Sequence, residues 1–212
     1  LPLLQTQPGN VYWVSNSMML EPGSIGGSNG NPGTFQKPFA TLDYALSRCS
    51  QTSGDIIMVK PCHRETISNA TALAFDCAGA AIVGLGAGTC RPTFTLDTAA
   101  TANITLRAAN MSIQNCVFIG NFLSIASAFT VGAGPEFCID SCRFDDTSAT
   151  LGFLTAVTTT VTVNADGFTY TNNTRRSIAT TSPGPDIVIV GTMARLKVNN
   201  NRSVHTVASN NV

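Results

Sequence analysis

The sequence predicts a right-handed parallel β-helix, an all-β solenoid of stacked coils entered through one short capping helix. Three observations predict it. Apolar residues recur in columns at steps of 25 to 32 residues, the mark of a stacked repeat. A turn position in each repeat is held by Gly, Asn or Ser. No two-residue Asn-Gly type turn separates successive β runs, which argues against hairpins and so against a β-sandwich, the alternative for short, evenly spaced strands.

The columns follow from writing the repeats under one another. Ile82, Ile113, Ile139, Tyr170 and Val198 make the first, at steps of 31, 26, 31 and 28 residues. The second is Ala80, Met111, Phe137, Phe168 and Leu196. The third is Leu73, Ile104, Phe129, Val161 and Ile189, and the fourth is Phe75, Leu106, Val131, Val163 and Gly191. One coil alone cannot bury such residues, so each must lie on the next. The turn column is Gly84, Asn115, Ser141, Asn172 and Asn200. Side chains of Asn115, Ser141, Asn172 and Asn200 can hydrogen-bond from coil to coil, as amide ladders do in stacked β structure.

The start of the chain reads differently. Val11 to Val14 is a short strand, and Glu21 to Thr34 is a loop rich in turn formers, with Gly26-Gly27, Asn29-Gly30 and Pro32-Gly33. That loop lacks the Lys-Ser/Thr and the directly following helix that a phosphate cradle needs. Thr41 can cap a helix, and Leu42, Ala45, Leu46 and Cys49 recur at i, i+3, i+4 and i+7, one face of it. Ser53-Gly54 ends it. The expected organisation is residues 1–54 as arm, loop and capping helix, and 55–212 as coils.

Composition narrows the partners. Charged residues make up 11% of the 212, against roughly 25% in an average soluble domain. Twelve basic residues balance twelve acidic ones, and the adjacent pair Arg175-Arg176 reads as a solvated turn, so no nucleic-acid partner is expected. No run reaches the roughly 18 apolar residues of a spanning helix, and Leu1 to Pro8 does not read as a signal peptide, so no membrane partner is expected. The seven cysteines are read mostly as small buried hydrophobes of a chain made in a reducing cytoplasm.

Candidate chemistry is sparse. Polysaccharide hydrolysis needs two carboxyl groups about 5 to 9.5 Å apart. Asp145-Asp146 is the adjacent acidic pair, but neighbours on a strand face opposite ways, and a solvated turn is the plainer reading. His63-Arg64-Glu65 offers a base beside an acid, and it too reads as a surface turn. Glu136 and Asp140 share a coil with Arg107 in the one before, but Asp140 stacks between Gln114 and Thr171, so no acid ladder forms for a metal. Cys138 and Cys142 are expected on one strand face, with Cys116 stacked over Cys142, as buried thiols rather than zinc ligands. The expectation is therefore no catalytic residue, no cofactor and no metal; if the chain is an enzyme, Asp145 and Asp146 carry it.

Residues Val11-Tyr12-Trp13-Val14, the Gly/Asn loop, and Lys37-Pro38-Phe39-Ala40-Thr41-Leu42 with Ala45 resemble the opening of pectin-lyase-like β-helices of bacteriophages. Gly54 to Pro61, with His63 and Glu65-Thr66-Ile67, resembles the first coil of that family. The resemblance covers residues 11 to 120, and beyond them the coil pattern alone. It implies a helix capping the first coil and a phage virion as the setting. Within that family, low charge and modest length favour a structural role: a capsid decoration (cement) protein, homotrimeric, on the capsid exterior, made in the host bacterial cytoplasm. Its partners would be the major capsid protein and copies of itself, met through the low-charge flanks and Glu21 to Thr34, with little dependence on salt. The alternative is a tail-spike polysaccharide depolymerase or a host-glycan-binding fibre, although Trp13 and three tyrosines supply few aromatics for a glycan.

Overall fold

The computed structural model describes residues 9–18, 21–132, 134–160, 165–178, 184–191 and 193–205. Its strands form three sheets. The first has seven strands: Val11–Val14, Ile56–Val59, Ala81–Gly84, Ser112–Gln114, Cys138–Asp140, Thr169–Thr171 and Lys197–Asn199. The second has six: Arg64–Ile67, Thr93–Leu96, Val117–Gly120, Arg143–Asp146, Thr174–Ser177 and Arg202–His205. The third has five: Ala74–Phe75, Ile104–Leu106, Ile125–Val131, Phe153–Thr159 and Ile187–Val188. Strand pairs within all three sheets are parallel, as in Ile82 beside Ile113 and Phe94 beside Phe118. The chain is a parallel β-solenoid.

Apolar stacking drives it. Ile57, Ile82, Ile113, Ile139, Tyr170 and Val198 are in register across the first sheet, and all but Val198 are essentially inaccessible to water. Each such burial is worth roughly 1.5–3 kcal/mol. Phe94, Phe118 and Phe144 stack inside the second sheet with centroids 5.7 and 5.3 Å apart. The next inward position is Arg175, which is 2% exposed. The sequence expectation of a solvated Arg175-Arg176 turn is thus wrong for Arg175. Its guanidinium donates to the carbonyls of Phe153, Leu154, Gly184 and Pro185 and lies 3.5 Å from Asp186, which is how a charge survives at a core position.

The third sheet departs from the expected register. Ile104, Phe129 and then Val157 and Ile187 are aligned; Leu106 and Val131 are followed by Thr159. Val161 and Val163 lie outside the described residues, and the positions expected for them belong to Val157 and Thr159. The physical reason is that threonines point inward here. Thr155 and Thr159 are buried, and their hydroxyls bond to Ala126 O at 3.0 Å and to Val190 O at 3.1 Å.

The start of the chain closes the solenoid. Val11–Val14 adds a strand to the first sheet beside Ile56–Val59. The helix α1 spans Leu42–Arg48, with Thr41 Oγ1 accepting from Tyr44 N at 3.3 Å. Leu42, Ala45 and Leu46 are buried against the first coil, and Cys49 is half-buried at its end. Glu21 to Thr34 is folded onto this cap: Glu21 pairs with Lys60 at 2.7 Å, and Asn31 bonds to Pro38 O at 2.8 Å. At the other end Leu196 and Val198 are 38% and 52% exposed.

Both corners of the first sheet are stacks of left-handed residues. After its strands come Asn115, Ser141, Asn172 and Asn200, with φ of 56°, 54°, 56° and 52°. Before them come Thr52, Gly79, Asn110, Glu136, Gly167 and Arg195, with φ between 53° and 80°. Asn tolerates this backbone because its short amide bonds locally, whereas Thr, Glu and Arg need support from neighbours.

Candidate functional site

Asp145 and Asp146 end a strand of the second sheet, where the chain turns toward the third. This is not the solvated turn expected from sequence. Asp146 is 8% exposed, and both carboxylate oxygens are engaged. Oδ1 accepts from Phe153 N at 3.0 Å, while Oδ2 accepts from Ser177 Oγ at 2.6 Å and from Ile178 N at 3.2 Å. Gly152 leaves room for it, since a Cβ there would stand 2.3 Å from Oδ1. Asp146 thus ties the corner of its own coil to the corner of the next.

Asp145 faces outward, in register with Ile119 below and Arg176 above. Its Oδ2 lies 2.9 Å from Arg143 Nε. Partial burial pushes its carboxyl above the usual range, against the pull of the Arg143 and Arg176 charges. Asp145, Asp146, Arg176, Ser177, Ile178 and Val204 line a pocket of about 300 Å³. The expectation that consecutive strand residues face apart is met, Asp145 outward and Asp146 inward, yet both residues line this pocket.

His63 and Glu65 are not a surface turn either. His63 is fully buried, with Nε2 3.0 Å from Glu65 Oε2 and Nδ1 accepting from Asn16 N at 3.1 Å. Because Nδ1 accepts, the proton sits on Nε2 and is donated to Glu65. Glu65 Oε2 also accepts from Leu42 N at 2.9 Å, the first amide of α1. These residues fasten the cap to the first coil.

The turn column bonds axially. Asn200 Nδ2 donates to Asn172 Oδ1 at 2.7 Å, Asn172 Nδ2 to Asp140 Oδ1 at 2.7 Å, and Asn115 Nδ2 to Gly84 O at 2.9 Å. Ser141 Oγ stays within its coil, on Asp140 at 3.0 Å. Two residues that sequence reasoning passed over do more. Asn173 Oδ1 accepts from Cys142 N at 2.8 Å and its Nδ2 donates to Ile139 O at 3.0 Å; Asn201 repeats the pattern one coil on, with Asn173 N and Tyr170 O. The doubled Asn172-Asn173 and Asn200-Asn201 were the signal. Arg91, also missed, reaches up the same corner to the carbonyls of Asn115, Cys116 and Ser141.

Cys62 and Cys90 form a disulfide between successive coils, which the spacing did not single out. Cys49, Cys77, Cys116, Cys138 and Cys142 are free. Cys116 stacks with Cys142, but Cys138 lies on the outer face and Cys142 on the inner, because left-handed Ser141 intervenes. Burial pushes the Cys142 thiol up to about 12 and that of Cys138 up to about 11, the inert range. Among the described residues no group of three or more His, Cys, Asp or Glu is placed to hold a metal ion, and no helix is long and apolar enough to cross a membrane.

No family model matches the chain. No curated protein matches it. Among solved structures, a rhamnogalacturonan lyase aligns with 96% of this chain at a TM-score of 0.49 and 14% sequence identity. The alignment spans 60% of that enzyme's chain.

Proposed function

We propose that the chain is a non-catalytic structural protein of a bacteriophage virion: a capsid decoration (cement) protein, homotrimeric, bound to the major capsid protein on the outside of the head. The observation that carries the non-catalytic reading is the engagement of Asp146. Both its oxygens hold backbone and hydroxyl donors of two coils, so it is a corner brace rather than a base or nucleophile. Asp145 is then a single carboxyl beside Arg143, where glycoside hydrolysis requires two that work in turn. The virion setting rests on the resemblance of residues 11 to 120 to phage β-helices. A trimer repeats each weak contact three times, so avidity exceeds single-site affinity without an extensive charged face.

The second reading, a depolymerase or glycan-binding fibre, is favoured by the pocket of about 300 Å³ and by the raised carboxyl of Asp145, the property of a general acid. The two readings part on incubation with host capsule or lipopolysaccharide. The structural reading expects no oligosaccharide release. Release that disappears in Asp145→Asn, a substitution that leaves the Asp146 brace in place, establishes the enzyme instead.

A further inference from the structure

The outer face of the second sheet gathers three arginines at its last strands, only partly balanced by the acids beside them. On its last three strands the outward side chains are Arg143 and Asp145, then Thr174 and Arg176, then Arg202 and Val204. Arg143 is taken by Asp145. Arg176 and Arg202 are exposed and among the described residues their guanidinium groups make no hydrogen bond, although Arg176 stands beside Asp145 and its charge acts on that carboxyl. They sit on adjacent strands two residues out of register, Arg176 beside Val204 and Arg202 beside Thr174, roughly 7–8 Å apart at the backbone, so carboxylates along one extended segment can meet both. In a chain of net charge zero, Arg143, Arg176 and Arg202 against Asp145 and Asp146 leave a local excess of one positive charge, a directional feature.

Beside these arginines the surface turns aliphatic. Leu123, Leu154 and Ile178 are 57%, 52% and 42% exposed, and all three lie where the second sheet passes to the third. Scattered apolar residues on a surface are ordinary. Here Ile178 and Val204 also form walls of the pocket of about 300 Å³, and Arg176 stands at the same pocket. Among the described residues the pocket's lining, which also includes Asp145 and Asp146, holds no aromatic ring on which a base or a sugar would stack. Aliphatic walls, a cavity and two exposed guanidinium groups suit a polypeptide that carries both acids and aliphatic side chains.

We propose that this corner is the docking surface for an acidic, aliphatic-rich segment of a partner protein. Its carboxylates pair with Arg176 and Arg202, and one aliphatic side chain enters the pocket against Ile178 and Val204. The proposal rests on the capsid reading for the partner being a protein of the particle. It makes capsid binding salt-dependent, unlike docking through the low-charge flanks.

The test uses the full chain, the double variant Arg176→Glu/Arg202→Glu, and Ile178→Asp. All three positions are exposed, so unchanged melting temperatures show that the variants fold. Binding is measured to capsids stripped of the protein and to an immobilised peptide alternating glutamate with leucine and valine. The expected result is that the double variant binds both at least about tenfold more weakly, that Ile178→Asp weakens both, and that a peptide with glutamine for glutamate is not held. A double variant that occupies capsids as the wild type does overturns the surface and leaves the capsid reading intact. A wild type that ignores capsids but holds the acidic peptide through the arginines overturns the capsid reading and keeps the surface. A wild type that does not hold the peptide, or that prefers polyuronate or single-stranded RNA to it, overturns the partner assigned here.

Discussion

The two corners of the first sheet make the same backbone turn with different chemistry. One uses Asn115, Ser141, Asn172 and Asn200; the other uses Thr52, Gly79, Asn110, Glu136, Gly167 and Arg195, all with positive φ. At the first, amide groups bond to the coil below or above, and behind them buried Asn173 and half-buried Asn201 make two bonds each. At the second, glycine relieves the backbone at two positions, and Arg195 bridges Glu136 at 2.6 Å and also Asp166, in water. Stacking fixes the φ sign at both corners. What neighbours can offer the side chain decides which residue stands there.

That contrast can be broken by substitution. The largest effect is expected at Asn173→Leu, which strands a buried Cys142 N–H and Ile139 carbonyl: about 3 kcal/mol, read as a fall in chemical-denaturation midpoint. An unchanged midpoint means that the buried amides are replaceable packing. Asn172→Leu, at the exposed rung, should cost about 2 kcal/mol, from lost amide bonds and from a branched side chain in the left-handed region. At the other corner Thr52→Gly should be neutral or stabilising by up to about 1 kcal/mol, because Thr52 holds a β-branched side chain at φ 61°. A clear loss of stability there would show that the Thr52 side chain supports its corner. Arg195→Ala sharpens the difference at the small end. Its effect on melting should be visible at low salt and vanish near about 1 M NaCl, whereas the Asn172 effect persists.

Much of this architecture was legible in the sequence because apolar identity repeats where burial repeats. Ile82, Ile113, Ile139 and Tyr170 could be aligned by eye, and the helix face Leu42, Ala45, Leu46 and Cys49 follows from its spacing alone. Legibility failed where a core position is polar. Thr155 and Thr159 point inward with satisfied hydroxyls, so a search for apolar residues slipped four positions to Val161 and Val163. Arg175 fills a slot that its neighbours give to Phe144 and Phe118, and only the carbonyls gathered around it explain why. The second corner was missed because Thr52, Glu136 and Arg195, which carry no turn signature, interrupt the column of Gly79, Asn110 and Gly167. Asp146 and His63 were read as surface groups because their partners, Ser177 and Asn16, lie a coil or a loop away in the chain.

The central functional claim is that this solenoid holds on to a particle and performs no reaction. Its most direct test is to add the purified chain to phage capsids stripped of it, then count bound copies by cryo-electron microscopy while following capsid melting. The account predicts occupancy in threes on the exterior and a capsid melting temperature that rises with occupancy. Capsids that stay bare at saturating protein, with melting unchanged, would contradict it.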